Sequence, residues 1–381
     1  PMMHSMLRGL VALVFLLMSA SSASGQLPVP PPPAPGVGMA SGVLIDMQTG
    51  KILWSKDDQA VRPPASLTKV LTALVVLENA NLKDKAVLTK EARYAPGGRM
   101  YAEEGWSFTI EDLLWGLLLQ SGNDAAVALA QAVSPDGTIE GFSKLMNDRA
   151  HELGATSTNF ANPHGYDQEG HLTTARDLGV ITLAAMKNPT FAKMVTTKVH
   201  DIAWGDGSPH TLINHNKLLA RYPGTVGVKT GFTNGAGHSL ISAVTRDGST
   251  LIAVAMGSPD HYGESIALYD WGFGNLAALR TQSTTVIRAV KKTRTVQAPS
   301  ADLNGLEVVQ VGQDLAAGAD APESPASAPL VAPLLALFAA GGLGSMMTKR
   351  RRRRQNYLKV MGDLHTELDA LSEPEPSTAG V

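Results

Sequence analysis

The sequence predicts an α+β domain built on a mainly antiparallel sheet of about five strands. Three observations carry this. β-prone segments joined by tight turns stand at both ends of the stretch 37–280: one pair near its start, another after Thr225. Between them apolar residues recur at helical spacing. At Thr225 the period changes from helical to alternating, so strands flank a helical middle.

Each element has its own signal. Residues 37–46 and 51–55 are β-prone and joined by Met47-Gln48-Thr49-Gly50, a hairpin signature. Arg62-Pro63-Pro64 stops regular structure before Ser66, and Val70, Leu71, Leu74, Val75 and Leu77 then repeat as a helix face. Residues 109–120 are apolar on nearly all sides, which predicts a buried helix. Ser121-Gly122-Asn123 breaks the pattern before a further helix at 124–133. Helices are expected at 142–153 and 174–186, with a tight turn at Asn162-Pro163-His164-Gly165 between them. Residues 225–233 alternate, with Val226 and Val228 on one side and Gly227, Lys229 and Gly231 on the other. Strands 239–245 and 250–256 flank the Arg246-Asp247-Gly248 turn, and a helix over 262–279 closes the domain.

The flanks read differently. Residues 1–25 have the form of a secretory signal peptide: Arg8, an apolar run from Leu10 to Met18, then small residues ending Ala23-Ser24-Gly25. One of Met2, Met3 and Met6 is the expected start. Residues 26–36 are a proline-rich linker and 281–329 a low-complexity one. Residues 330–347 are uncharged and apolar, followed by Lys349 and five arginines, and read as a transmembrane helix with a stop-transfer signal. Residues 348–381 are then a cytoplasmic tail, with the domain at 37–280 expected outside the cell membrane.

Composition excludes several chemistries. The chain has no cysteine, so disulfides, thiolate catalysis and cysteine-based zinc sites are ruled out. A net charge of −2 gives the chain no electrostatic case for binding nucleic acid. His200, His210 and His215 match no standard metal spacing, and neither metal nor cofactor is expected. The tryptophans Trp54, Trp106, Trp115 and Trp204 read as packing, His164 as a structural residue of its turn, and Gly97-Gly98 as loop rather than a phosphate cradle.

Three short motifs carry the chemistry. Ser66 and Lys69 lie three residues apart at a helix start, which sets an amine beside a hydroxyl. Desolvation lowers a lysine pKa, so Lys69 can act as the base that activates Ser66. Ser121-Gly122-Asn123 can present a hydroxyl and an amide from a break between buried helices. Lys229-Thr230-Gly231 adds a cation, a hydroxyl and a glycine that permits close approach of a substrate backbone. The three together, in this order, form a catalytic signature of penicillin-binding proteins and class A β-lactamases.

Over residues 38–279 the chain resembles the serine D-alanyl-D-alanine carboxypeptidases, the low-molecular-mass penicillin-binding proteins. Phe142-Ser143-Lys144-Leu145-Met146-Asn147, His151-Glu152-Leu153-Gly154, Thr158-Asn159-Phe160, Asn162-Pro163-His164-Gly165, Asn216-Lys217-Leu218-Leu219 and residues 227–233 are similar to that family's segments. The resemblance implies a β-lactamase/transpeptidase-like fold with the active site where sheet and helical subdomain meet. It implies a peptidoglycan pentapeptide ending in D-Ala-D-Ala as substrate and β-lactams as inhibitors. Ser66 would be the acylated nucleophile, Lys69 its base, and Ser121 a proton relay to the leaving amine. Asn123, Lys229, Thr230 and Gly231 would bind substrate, and the N–H groups of Ser66 and Phe232 would form the oxyanion hole. Some relatives carry histidine at the Phe232 position; only its N–H is needed.

Relatives often continue into a second β-rich domain, for which 280–329 is too short. A β-lactamase would need a deacylating Glu-x-x-Leu-Asn motif, which does not occur between the second and third motifs. The alternatives are a transpeptidase or endopeptidase acting on cross-links, and a non-catalytic penicillin sensor signalling through the membrane.

Overall fold

Two turns close the hairpins that begin and end the domain, and their strands share one sheet. The computed structural model describes residues 30–288; the expected signal peptide, transmembrane helix and tail lie outside these residues. Strands β1 (Ser41–Asp46) and β2 (Ile52–Lys56) form the first hairpin. After a 3-10 turn over Ala65–Thr68 come helix α1 (Lys69–Asn79), β3 (Lys85–Val87), α2 (Lys90–Arg93), β4 (Ser107–Thr109), α3 (Ile110–Leu119), α4 (Asn123–Val133), α5 (Ile139–Leu153), α6 (Ala175–Ala185) and α7 (Pro189–Thr196). Strands β5 (Val199–Ala203) and β6 (Pro209–Ile213) pair with each other, and the short helix α8 (Leu218–Arg221) follows. The chain then returns to the main sheet through β7 (Thr225–Thr233), β8 (Gly237–Arg246) and β9 (Ser249–Met256), and ends with α9 (His261–Gly274) and α10 (Leu276–Gln282).

The main sheet has the order β2-β1-β9-β8-β7, antiparallel throughout. Five antiparallel strands and a helical middle were expected, and both are present. β9 pairs with β1 and β8, so it carries alternating apolar residues buried on both faces. On one face the sheet packs against α6 and α7; on the other Tyr269 and Leu268 of α9 are fully buried.

Helix α3 is the centre of the helical half. Leu113, Leu114, Trp115, Leu117, Leu118 and Leu119 are all buried, each leucine worth about 2 kcal/mol relative to exposure. Thr109 caps it by accepting the Asp112 N–H at 3.0 Å, which contributes about 1 kcal/mol. Thr138 and Thr174 cap α5 and α6 in the same way.

The structure adds to the expected elements in three places. Past residue 280, the stretch given to a linker begins by pairing: Ile52 N–H donates to Thr285 O and Ile287 N–H to Gly50 O, and Ile287 packs on the core. In the proline-rich segment, Pro32 O accepts the indole N–H of Trp271 at 2.9 Å, so part of it lies against α9. The helix expected over 262–279 is two helices, parted at Asn275.

Candidate active site

Ser66 lies in the 3-10 turn rather than on the α-helix expected there; the α-helix starts only at Lys69. In 3-10 geometry residues i and i+3 eclipse each other. The Ser-x-x-Lys spacing therefore stacks the two side chains, and Lys69 Nζ lies 2.8 Å from Ser66 Oγ. Ala65 enters the turn with φ +50°, a left-handed conformation rare outside glycine. Thr68 Oγ1 donates to the Ala65 carbonyl at 2.8 Å and stands 2.9 Å from His171 Nε2. His171 Nδ1 accepts the Ala161 N–H, so the ring proton sits on Nε2 and points at Thr68. Burial pushes the His171 pKa down to about 4, which keeps the ring neutral near pH 7.

Lys69 is fully buried, and three oxygens converge on its Nζ: Ser66 Oγ, Asn123 Oδ1 at 2.7 Å and the His164 carbonyl at 2.6 Å. The orientation of the Asn123 amide is set at its other end, where Nδ2 donates to the Pro96 carbonyl. Asn123 Oδ1 and His164 O can only accept. A neutral lysine amine has two N–H bonds and one lone pair. The two acceptors take the N–H bonds, and the lone pair is left facing the Ser66 hydroxyl. Burial, and after it the charge of Lys229, hold the Lys69 pKa well below its ordinary value; the Asp124 carboxylate pulls the other way.

Lys229 comes from edge strand β7 and is also buried, with Nζ donating to the Thr230 carbonyl at 2.8 Å. Burial pushes its pKa down to about 7. A bulge between Thr225 and Gly227 shifts the pairing with β8, and Val228 and Lys229 are both buried, on opposite faces of the strand. Gly231 has a further task besides the one expected of it. A Cβ there would lie 3.2 Å from both Ala65 Cβ and Ser66 N, so the glycine lets the nucleophile's own turn close on the strand. Ser121 has φ +60° between α3 and α4, and its hydroxyl has no hydrogen-bond partner among the described residues.

The cleft has two lobes that meet at Ser66. One, of about 280 Å³, runs between Gly97-Gly98, Asn123, Gly165 to Asp167 and Phe232 to Asn234. The other, of about 470 Å³, contains Ser121, Thr230, Gly231 and Phe232, with His215, Lys217 and Arg221 from the other side. All the predicted site residues are thus brought together, except that the polar ends of Asn123 are engaged within the protein. A hold on substrate is left to the second Nδ2 hydrogen and the free lone pair of Oδ1.

The profile of the D-alanyl-D-alanine carboxypeptidases, peptidase family S11, matches residues 31–260. The chain belongs to this family. D-alanyl-D-alanine carboxypeptidase DacB2 of Mycobacterium tuberculosis is 38% identical over 240 residues, 61% of this chain and 81% of that protein. A crystal structure of a D-alanyl-D-alanine carboxypeptidase from Mycobacterium tuberculosis H37Rv superposes with a TM-score of 0.63 at 35% identity, covering 68% of this chain and 98% of that one. The Streptomyces K15 DD-transpeptidase gives a TM-score of 0.61 at 33% identity, covering 64% and 100%.

Residues outside the three motifs also border the site in this serine-type carboxypeptidase. Gly97-Gly98, read as plain loop, borders both lobes, and Asn123 N–H donates to Gly98 O at 2.8 Å. Asp124 holds the same loop by accepting the Met100 and Tyr101 N–H groups, each at 2.9 Å. His164 reaches Lys69 through its carbonyl; burial keeps its ring neutral, with a pKa pushed down to about 3. His200 and His210 stack on Trp115 and Trp204, while His215 lines the second lobe.

Proposed function

We propose that this carboxypeptidase releases the terminal D-alanine of peptidoglycan stems through an ester on Ser66. The observation that carries the residue roles is Lys69 Nζ at 2.8 Å from Ser66 Oγ, with two obligate acceptors on its other sides. The Ser66 proton passes to Lys69 Nζ as Oγ bonds to the carbonyl carbon of the penultimate D-alanine. The resulting oxyanion is met by the N–H groups of Ser66 and Phe232. Ser66 is in the first turn of a helical segment, where N–H groups lack partners, and Phe232 is on an edge strand. The C–N bond then breaks, and Ser121 passes its proton to the leaving amine while regaining the one that Lys69 took from Ser66. Lys229 and Thr230 hold the free carboxylate. Water repeats the sequence on the ester and restores the serine. β-Lactams enter the same path and stop at the ester.

Hydrolysis and transfer share this ester, and the likeness to a DD-transpeptidase favours testing both. A D-Ala-D-Ala pentapeptide supplied with a competing amine acceptor is expected to give mainly tetrapeptide by mass spectrometry. A majority of amine-linked product assigns the chain to transfer, and intact pentapeptide leaves an endopeptidase of cross-links or a penicillin sensor.

The flanking sequence supports a membrane-anchored, extracytoplasmic enzyme. Eighteen residues at 330–347 span about 27 Å as a helix, close to a hydrocarbon core of about 30 Å, and six basic residues follow. Among the described residues no helix is long and apolar enough to cross a membrane. Protease added to intact spheroplasts is expected to degrade the catalytic domain and spare an epitope placed after Val381. Cleavage of that epitope from outside overturns the anchor.

A further inference from the structure

The two lobes carry opposite charge, and this gives the substrate a direction. Lys217 and Arg221 line the lobe that holds Thr230, together with His215, His238 and His261; no carboxylate is among its lining residues. Neither Lys217 nor Arg221 forms an ion pair among the described residues, and Arg221 lies over the Tyr262 ring at 5.9 Å. The carboxylate end of the stem therefore belongs in this lobe. The residues before the scissile bond must then run the other way from Ser66, into the lobe floored by Gly97 and Gly98. Among the residues lining that lobe, one is charged: Asp167.

The Asp167 carboxylate is held in place without being neutralised. Oδ1 accepts the Thr233 hydroxyl at 2.7 Å and Oδ2 accepts the Gly235 N–H at 3.0 Å. A Cβ at position 235 would stand 3.0 to 3.2 Å from this carboxylate, so glycine there is what lets the N–H approach. Both donors are neutral, and each carboxylate oxygen keeps a lone pair for a ligand. Such a fixed anion at the far end of a lobe is matched by an ammonium group on the bound peptide.

We infer that Asp167 binds the side-chain amine of the stem residue that precedes the two D-alanines, so that the enzyme selects stems carrying a free diamino acid at that position. That residue directly precedes the one whose carbonyl Ser66 attacks. At about 3.5 Å per extended residue its backbone is roughly one residue length from that carbonyl, and a long diamino side chain extends the reach across the lobe. The inference rests on the proposed carboxypeptidase reading, and the test separates the two.

Two peptides ending in D-Ala-D-Ala, identical except that the third-residue amine is free or acetylated, are compared by D-alanine release. With the full chain, kcat/KM is expected to be about fivefold higher for the free amine, the size of an exposed ion pair, and the preference should shrink as salt is raised. Asp167→Asn should bring the two peptides level, and Asp167→Glu should restore part of the preference. Because the readout is a ratio, a general loss of activity cancels. Equal hydrolysis of both peptides by the unaltered protein, or a preference that persists in Asp167→Asn, overturns the inference and leaves the carboxypeptidase reading standing. Release of D-alanine from neither peptide overturns both.

Discussion

Replacing Ser66 with alanine is expected to abolish the covalent adduct with labelled penicillin and to lower D-alanine release by about 10⁴-fold or more. The fold should survive the change. Ser66 Oγ shares one hydrogen bond, with Lys69 Nζ, and the turn is held by groups that remain: the Thr68 bond to Ala65 O and the contact of Gly231 with the turn. Stacking the Ser66 and Lys69 side chains by 3-10 geometry would have no use if another hydroxyl were acylated. The adduct is read by denaturing gel and by intact mass. An adduct that persists in Ser66→Ala moves the nucleophile elsewhere, and Ser121 would be the first place to look, since it lines the same lobe.

How much of this was legible beforehand depended on which kind of signal each residue carried. Ser66, Lys69, Ser121, Asn123, Lys229 and Thr230 could be named because the chemistry restricts residue type and the spacing repeats a known set. Helix α3 was legible because it is apolar on all sides, and β8 and β9 because an Asp-Gly turn joins them. Hairpin β5–β6 was not: Ile202 and Leu212 are its buried residues, too few to show a period of two. The 3-10 turn was hidden because Ser-x-x-Lys at the head of an apolar run is equally compatible with an α-helix. Its cause is tertiary, since Gly165 and Gly231 press on Ala65 and Ser66 from segments far away in sequence. Backbone groups were the other blind spot. The His164 carbonyl completes the lysine site, and nothing in a residue's identity announces what its carbonyl will do. The opposed charges of the two lobes were invisible for a related reason: nothing in the sequence relates Asp167 to Lys217 and Arg221, which meet only when the fold brings their segments around one cleft.

Lys69→Arg is expected to lose acylation by at least about 10³-fold although it keeps the charge. Arginine does not give up its proton in proteins, so it cannot take one from Ser66. It also cannot reproduce the site: an amine with two N–H bonds and a lone pair suits two obligate acceptors and one hydroxyl, whereas a guanidinium has donors only. Lys69→Met, close in length and uncharged, guards against misfolding as the explanation; it should be as inactive, with its thermal transition measured beside the wild type. The pH profile of the intact enzyme gives the same answer without a mutation. Lys69 is held well below the ordinary lysine range, so its free-base form extends to lower pH than an ordinary lysine's and is lost as pH falls through that lowered pKa; acylation should fall on the acid side. Lys229, pushed down to about 7, must keep its proton to attract a carboxylate, so kcat/KM should also fall as pH rises above about 7. The two ammonium groups repel each other, and the limbs report the pair. Lys229→Arg holds its charge at all these pH values and should move the alkaline limb upward while leaving the acid limb in place. Near-normal acylation in Lys69→Arg, or an alkaline limb that does not move in Lys229→Arg, would show that the proton is taken or the charge supplied by another group.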